Sequence, residues 1–104
     1  MADPLVRRFA ARCLPRLRRR YQPALVVVFG SRARGEALAD SDLDLIVVSE
    51  RFRGVSFLER ISTLLAELDP PLALDVLCYT PEEFARKRRE RGTVSLALKE
   101  GIRL

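Results

Sequence analysis

Two short apolar runs, and the turn between them, constrain this chain more than any other feature. Residues 24–29 (ALVVVF) are continuously apolar and rich in β-branched side chains, so they read as a strand buried on both faces. That run stops at Gly30-Ser31. Ten residues separate Ser31 from Asp42, where a second run, residues 42–48 (DLDLIVV), begins. Side chains alternate along a strand, so Asp42 and Asp44 share one face while Leu43, Leu45 and Val47 share the other. Two neighbouring carboxylates repel each other. A hard divalent cation such as Mg²⁺ relieves that repulsion, with water and phosphate oxygens completing its octahedron. The plainer alternative is a pair of solvated aspartates at the entry of an edge strand.

The turn suits an anion. Gly30 lets the backbone bend sharply and approach a ligand without a Cβ in the way. Ser31 is expected to cap a short helix whose free N–H groups attract negative charge. Arg32 and Arg34 add planar, permanently charged donors that match phosphate oxygens, although either could equally be a solvated helix residue.

Taken together, the string GSRARGEALADSDLDLIV resembles the signature of the DNA polymerase β-like nucleotidyltransferase superfamily. It looks most like the minimal nucleotidyltransferase (MNT) branch, whose members occur beside HEPN-domain partners. The resemblance implies an α/β (α+β) fold, a small mixed sheet flanked by helices, in a single minimal domain spanning residues 1–104. It also implies a third carboxylate on a later strand. Asp75 is the candidate, inside the apolar run LALDVL at residues 72–77 that follows Pro70 and Pro71. On its own residues Asp75 could as well be a sheet-edge side chain or half of an ion pair.

The mechanism implied by the resemblance is in-line attack on the α-phosphate of a nucleoside triphosphate, with ATP as the expected donor. Asp42, Asp44 and Asp75 would hold Mg²⁺, with two ions bracketing the reacting oxygens, and Asp75 would take the acceptor proton. Gly30, Ser31, Arg32 and Arg34 would bind the nucleotide, Arg32 being favoured over Arg34. The implied acceptor is a hydroxyl of a partner protein, such as a tyrosine of a HEPN-type toxin, with this chain as its antitoxin. Larger relatives hold the acceptor with an extra domain, so a HEPN partner or a second copy of this chain is expected to complete the site.

Composition narrows the alternatives. The chain has 104 residues, 48% of them hydrophobic, enough for a folded domain. Its apolar runs are too short to span a bilayer and its N-terminus lacks a signal-peptide core, so a cytoplasmic protein is expected. The two cysteines, Cys13 and Cys78, lack metal-ligand spacing and read as buried free thiols. With no histidine, His-dependent triads and His-ligated zinc are excluded.

The net charge of +5 comes largely from two arginine-rich stretches, residues 7–20 and 86–91. These raise two other functions, a basic nucleic-acid-binding domain and a non-catalytic binding antitoxin of the same fold. Few aromatic residues interleave with the basic clusters, which speaks against base stacking.

Around the two strands, periodicity predicts a helix over residues 4–21, with Leu5, Phe9, Cys13 and Leu17 inward and a kink near Pro15. A polar loop is predicted over residues 50–54. A helix striped by Leu58, Ile61, Leu64, Leu65 and Leu68 follows, then a strand over residues 72–79. Thr80-Pro81-Glu82-Glu83 reads as a capping box, Gly92 as a break, and residues 93–100 as a last helix ended by Gly101.

Overall fold

The computed structural model describes residues 3–36 and 42–104; the Ala37 to Ser41 part of the motif string lies outside the described residues. The first expected helix is two helices. In α1 (Pro4–Arg12), Asp3 caps the N-terminus by accepting from the N–H groups of Leu5 and Val6 at 2.8 and 3.2 Å. Pro4 occupies the first turn, where no N–H is needed. The chain restarts as α2 (Leu14–Tyr21), with Pro15 again in a first turn. Pro15 has no N–H to give the preceding turn, and the discontinuity therefore falls two residues before it, at Cys13. Cys13 still bridges the helices, donating to Phe9 O at 2.8 Å and accepting from Leu17 N at 2.9 Å. The buried stripe runs Val6, Phe9, Cys13, Leu14, Leu17 and Tyr21, with Val6 taking the place expected for Leu5.

Four strands form a mixed sheet in the order β3-β2-β1-β4. β1 (Leu25–Phe29) runs antiparallel to β2 (Leu43–Val48), which is parallel to β3 (Leu74–Tyr79). Between β1 and β2 comes α3 (Gly30–Arg34), and between β2 and β3 comes α4 (Phe57–Leu68). α5 (Pro81–Lys87) and α6 (Thr93–Glu100) follow, and the chain closes with β4 (Ile102–Arg103), antiparallel to β1.

The apolar runs bury both faces of the sheet, as their unbroken hydrophobicity requires. On one face Val26, Val28, Leu43, Leu45, Val47, Val76 and Cys78 pack with the stripes of α1, α2 and α4. On the other, Val27, Ile46, Val48 and Tyr79 pack with Phe84 of α5 and with Val94 and Ala97 of α6. Cys13 and Cys78 are buried free thiols.

Two further expectations are corrected. Residues 50–52 are not a polar loop but a 3-10 turn (Glu50–Phe52), capped by Ser49, that drives Phe52 into the core at 2% exposure. In α4, Leu58 is 78% exposed and Arg60 is buried at 6%. Arg60 is tolerated there because its guanidinium is satisfied. It donates to Val55 O at 2.8 Å, to Cys78 O at 3.2 Å and to both carboxylate oxygens of Glu83. The last strand, β4, carries no sequence signal at two residues long.

Candidate active site

The expected catalytic residues gather at one end of the sheet. The strand register pairs Phe29 with Asp44 and Asp44 with Asp75, so the end of β1 and the starts of β2 and β3 form one row. Neighbouring strands lie about 4.8 Å apart, and directly paired residues of a parallel ladder point to the same side. Asp44 therefore has Asp75 beside it, on the face that α5 and α6 cover farther along. Asp42 sits two residues earlier, just ahead of β2. Asp42 and Asp75 are exposed, while Asp44 is half-buried.

Asp44 carries the signature of a crowded carboxylate. Burial pushes its pKa up, the charges of Asp75 and then Asp42 push it further, and Arg34 pulls against them. Gly30 explains how Asp44 fits. The residue has φ +75°, and a Cβ placed on it would collide with Oδ2 of Asp44 and stand 3.1 Å from its Cγ. The turn thus has glycine for two reasons, its left-handed backbone and the carboxylate lying against it.

The residues expected to bind phosphate divide into two groups. Ser31 is not a cap; α3 starts at Gly30 with Phe29 in the cap position and no side-chain cap bond, so Ser31 lies in the first turn of the helix. Arg32 turns inward, 5% exposed in its side chain, and donates from Nη1 to Oδ2 of Asp3 at 3.1 Å. Burial opposes the charge on Asp3, but the N–H groups of Val6 and Leu5 and the Arg32 guanidinium outweigh it and lower its pKa. Arg32 thereby ties α3 to the cap of α1. Arg34 stays at the surface, pairing with Glu36 at 3.1 Å and Glu100 at 3.5 Å. Asp3-Pro4 is legible as a helix start, but nothing in its local sequence announces Arg32 as a partner.

Among the described residues, no three acidic, cysteine or histidine side chains converge closely enough to hold a metal ion as they stand. In donor chemistry the row still suits one. Asp42, Asp44 and Asp75 offer only hard oxygens, and the repulsion felt by Asp44 is of the kind a divalent cation relieves. No helix among the described residues is long and apolar enough to cross a membrane.

A family model for a nucleotidyltransferase domain matches residues 10–102. No curated protein matches the chain. Among solved structures, a proposed nucleotidyltransferase from Sulfolobus solfataricus superimposes with a TM-score of 0.64 at 19% identity, covering 95% of this chain and 80% of that one. BolA1 from Arabidopsis thaliana superimposes with a TM-score of 0.56 at 24% identity, over 71% of this chain and 93% of its own. Such identities speak to the fold, which is the small mixed α/β sheet with flanking helices anticipated from the sequence.

Proposed function

We propose, from the premise that this chain belongs to the family of nucleotidyltransferase domains, that it moves a nucleoside monophosphate from ATP to a hydroxyl of a partner protein. The observation that carries this reading is the row Phe29–Asp44–Asp75, with Gly30 holding the backbone against the Asp44 carboxylate. A binding module has no use for an Asp44 carboxylate held half-buried against the charges of Asp75 and Asp42, and a transferase does.

In the proposed reaction the acceptor oxygen attacks the α-phosphorus in line with the bridging oxygen to the β-phosphate. One P–O bond forms, the bridging P–O bond breaks, and pyrophosphate leaves. Asp75, exposed and acceptor-only when ionised, receives the hydroxyl proton. Asp42 and Asp44, with Asp75, would hold Mg²⁺, which supplies charge neutralisation on the phosphate oxygens. Gly30 and Ser31 would let the triphosphate lie close to the backbone. Arg34, at the surface and within electrostatic reach of Asp44, would be the arginine of the pair to meet phosphate once it leaves Glu36 and Glu100. Arg32 would act one step removed, by fixing α3 against α1.

The resemblance in the motif extends the proposal to the acceptor: a HEPN-type toxin modified on a hydroxyl, with this chain as its antitoxin. The test is the intact mass of the protein encoded beside this one after incubation with the chain, ATP and Mg²⁺. Gain of one or more nucleotidyl groups, absent with the Asp42→Asn/Asp44→Asn variant, is the expected result. An unmodified neighbour in a stable, inactive complex would replace transfer with neutralisation by binding.

A further inference from the structure

The face of the sheet that carries Asp75 continues into a pocket the transfer reading does not use. Leu77 and Tyr79 follow Asp75 on the same face of β3, roughly 7 and 13 Å along the strand. With Phe57 they floor a cavity of about 800 Å³ between α5, the start of α6 and the head of α4. That volume is ample for several side chains of a bound segment. Thr93 lines this cavity and also a smaller one, of about 190 Å³, whose wall includes Gly30 and Arg34. The two spaces therefore share a wall at Thr93 of α6.

Its charge is one-sided. Glu83 is occupied by Arg60, and Glu90 by Lys87 at 3.6 Å. Arg86 and Arg91 make no ion pair among the described residues, nor do Arg88 and Arg89 between them, and all four are exposed. The floor, by contrast, is apolar: Phe57 is 39% exposed and leans on Tyr79 with ring centroids 5.7 Å apart.

We propose that this pocket is the docking site for an acidic, hydroxyl-bearing peptide segment of the acceptor protein. Carboxylates of the segment meet Arg86 and Arg91, an apolar or aromatic side chain fills the floor at Phe57 and Leu77, and the chain leads the hydroxyl along β3 toward Asp75. A nucleic acid is the less suited polyanion. Tyr79 is covered by Phe57 and is only 8% exposed, so the pocket lacks the successive open rings on which bases stack. The cations also cluster over six residues instead of tracking a groove. What the bound segment is for rests on the transfer reading, but its binding does not.

The test uses the full chain and a fluorescein-labelled peptide with a central tyrosine flanked by three glutamates on each side. A lysine-flanked peptide and labelled oligo(dA) serve as comparisons, all read by fluorescence anisotropy. Saturable binding of the acidic peptide is expected, weakened at least tenfold in Arg86→Glu/Arg91→Glu, with the lysine peptide not bound. Both arginines are exposed, so the double variant should melt at the wild-type temperature, and circular dichroism checks this. Asp44→Asn should bind the peptide as the wild type does. Failure to saturate, or equal binding by the double variant, overturns the proposal. Tighter binding of oligo(dA), with the same dependence on Arg86 and Arg91, overturns it in favour of a nucleic-acid surface. Intact peptide binding with no modification of the neighbouring protein would leave the docking site standing and remove the transfer reading.

Discussion

At the scale of single residues the site turns on the contact between Gly30 and Asp44. Replacing Gly30 by Ala puts a side chain at φ +75° and drives its Cβ into the Asp44 carboxylate. The left-handed backbone alone costs roughly 1 kcal/mol, and displacing the carboxylate adds to it. A loss of about 1–2 kcal/mol in chemical denaturation is expected, with transfer reduced at least a hundredfold. Asp44→Asn should act in the opposite direction on stability. It removes the charge that burial and the neighbouring Asp75 and Asp42 oppose, so the variant should melt higher than the wild type while losing transfer. A thermal melt with and without Mg²⁺ separates the two effects, since ligand binding raises the melting temperature only of a chain that binds it. The wild type should gain from Mg²⁺ and Asp44→Asn should not; equal gains would place the metal elsewhere. Gly30, Asp42 and Asp44 are legible in the sequence because strand alternation and turn chemistry are local, whereas Asp75 stands out only through the resemblance and Ser31, expected as a cap, lies inside the first turn of α3. The destination of Arg32 is not legible, since its partner Asp3 lies two helices and a strand away in the chain.

At the scale of elements, the same division explains what periodicity caught and missed. The capping box of α5 is written in four consecutive residues, and both of its bonds form: Glu83 N to Thr80 Oγ1 at 3.2 Å and Thr80 N to Glu83 Oε1 at 2.8 Å. Arg60 defeats the stripe reading of α4 because a charged side chain in a helix reads as its polar face. Its burial becomes intelligible only when Glu83 and the carbonyls of Val55 and Cys78 arrive from other elements. One residue thus caps α5 and neutralises α4. The Arg60 guanidinium chiefly holds the Glu83 carboxyl down to about 2, against burial and with help from Thr80 N–H. A carboxylate whose folded pKa is depressed contributes stability that is complete above its unfolded value of about 4.5. That contribution is lost as the pH falls toward 2. Glu83→Gln should therefore be less stable than the wild type at pH 7, with the gap closing between pH 4.5 and 2 in urea titrations. A gap that persists unchanged at pH 2 would mean that the hydrogen bonds, not the charge, carry the effect. Arg60→Met should cost more than Glu83→Gln at neutral pH, because it also leaves the carbonyls of Val55 and Cys78 without their donor, whereas Glu83→Gln keeps an oxygen for the guanidinium.

At the scale of the whole molecule the two faces of the sheet are unequal, and that inequality predicts how the protein opens. The face packed by α1, α2 and α4 holds most of the fully buried large side chains, among them Phe9, Leu17, Leu45 and Leu64. The face carrying the candidate site is held by α5 and α6. α6 buries only Val94 and Ala97 and starts at Gly92 without a side-chain cap. β4, which follows it, contributes two residues. A unit with so little apolar burial should open without the rest of the fold. Native-state hydrogen exchange is then expected to show the amides of α6 and β4 exchanging through a smaller opening than those of β2, which is paired on both sides. Leu45→Val gives the sharper test. Leu45 lies on the face away from α6, so its packing is intact when α6 alone is open. The substitution, worth about 1 kcal/mol in a buried position, should lower the protection of β2 amides by that amount and leave α6 and β4 amides unchanged. A uniform loss across all elements would mean that the molecule opens as one unit. If α6 moves alone, the walls it shares with Gly30, Arg34 and the basic pocket move with it, and entry of nucleotide and acceptor segment needs no unfolding of the sheet that aligns Asp44 with Asp75.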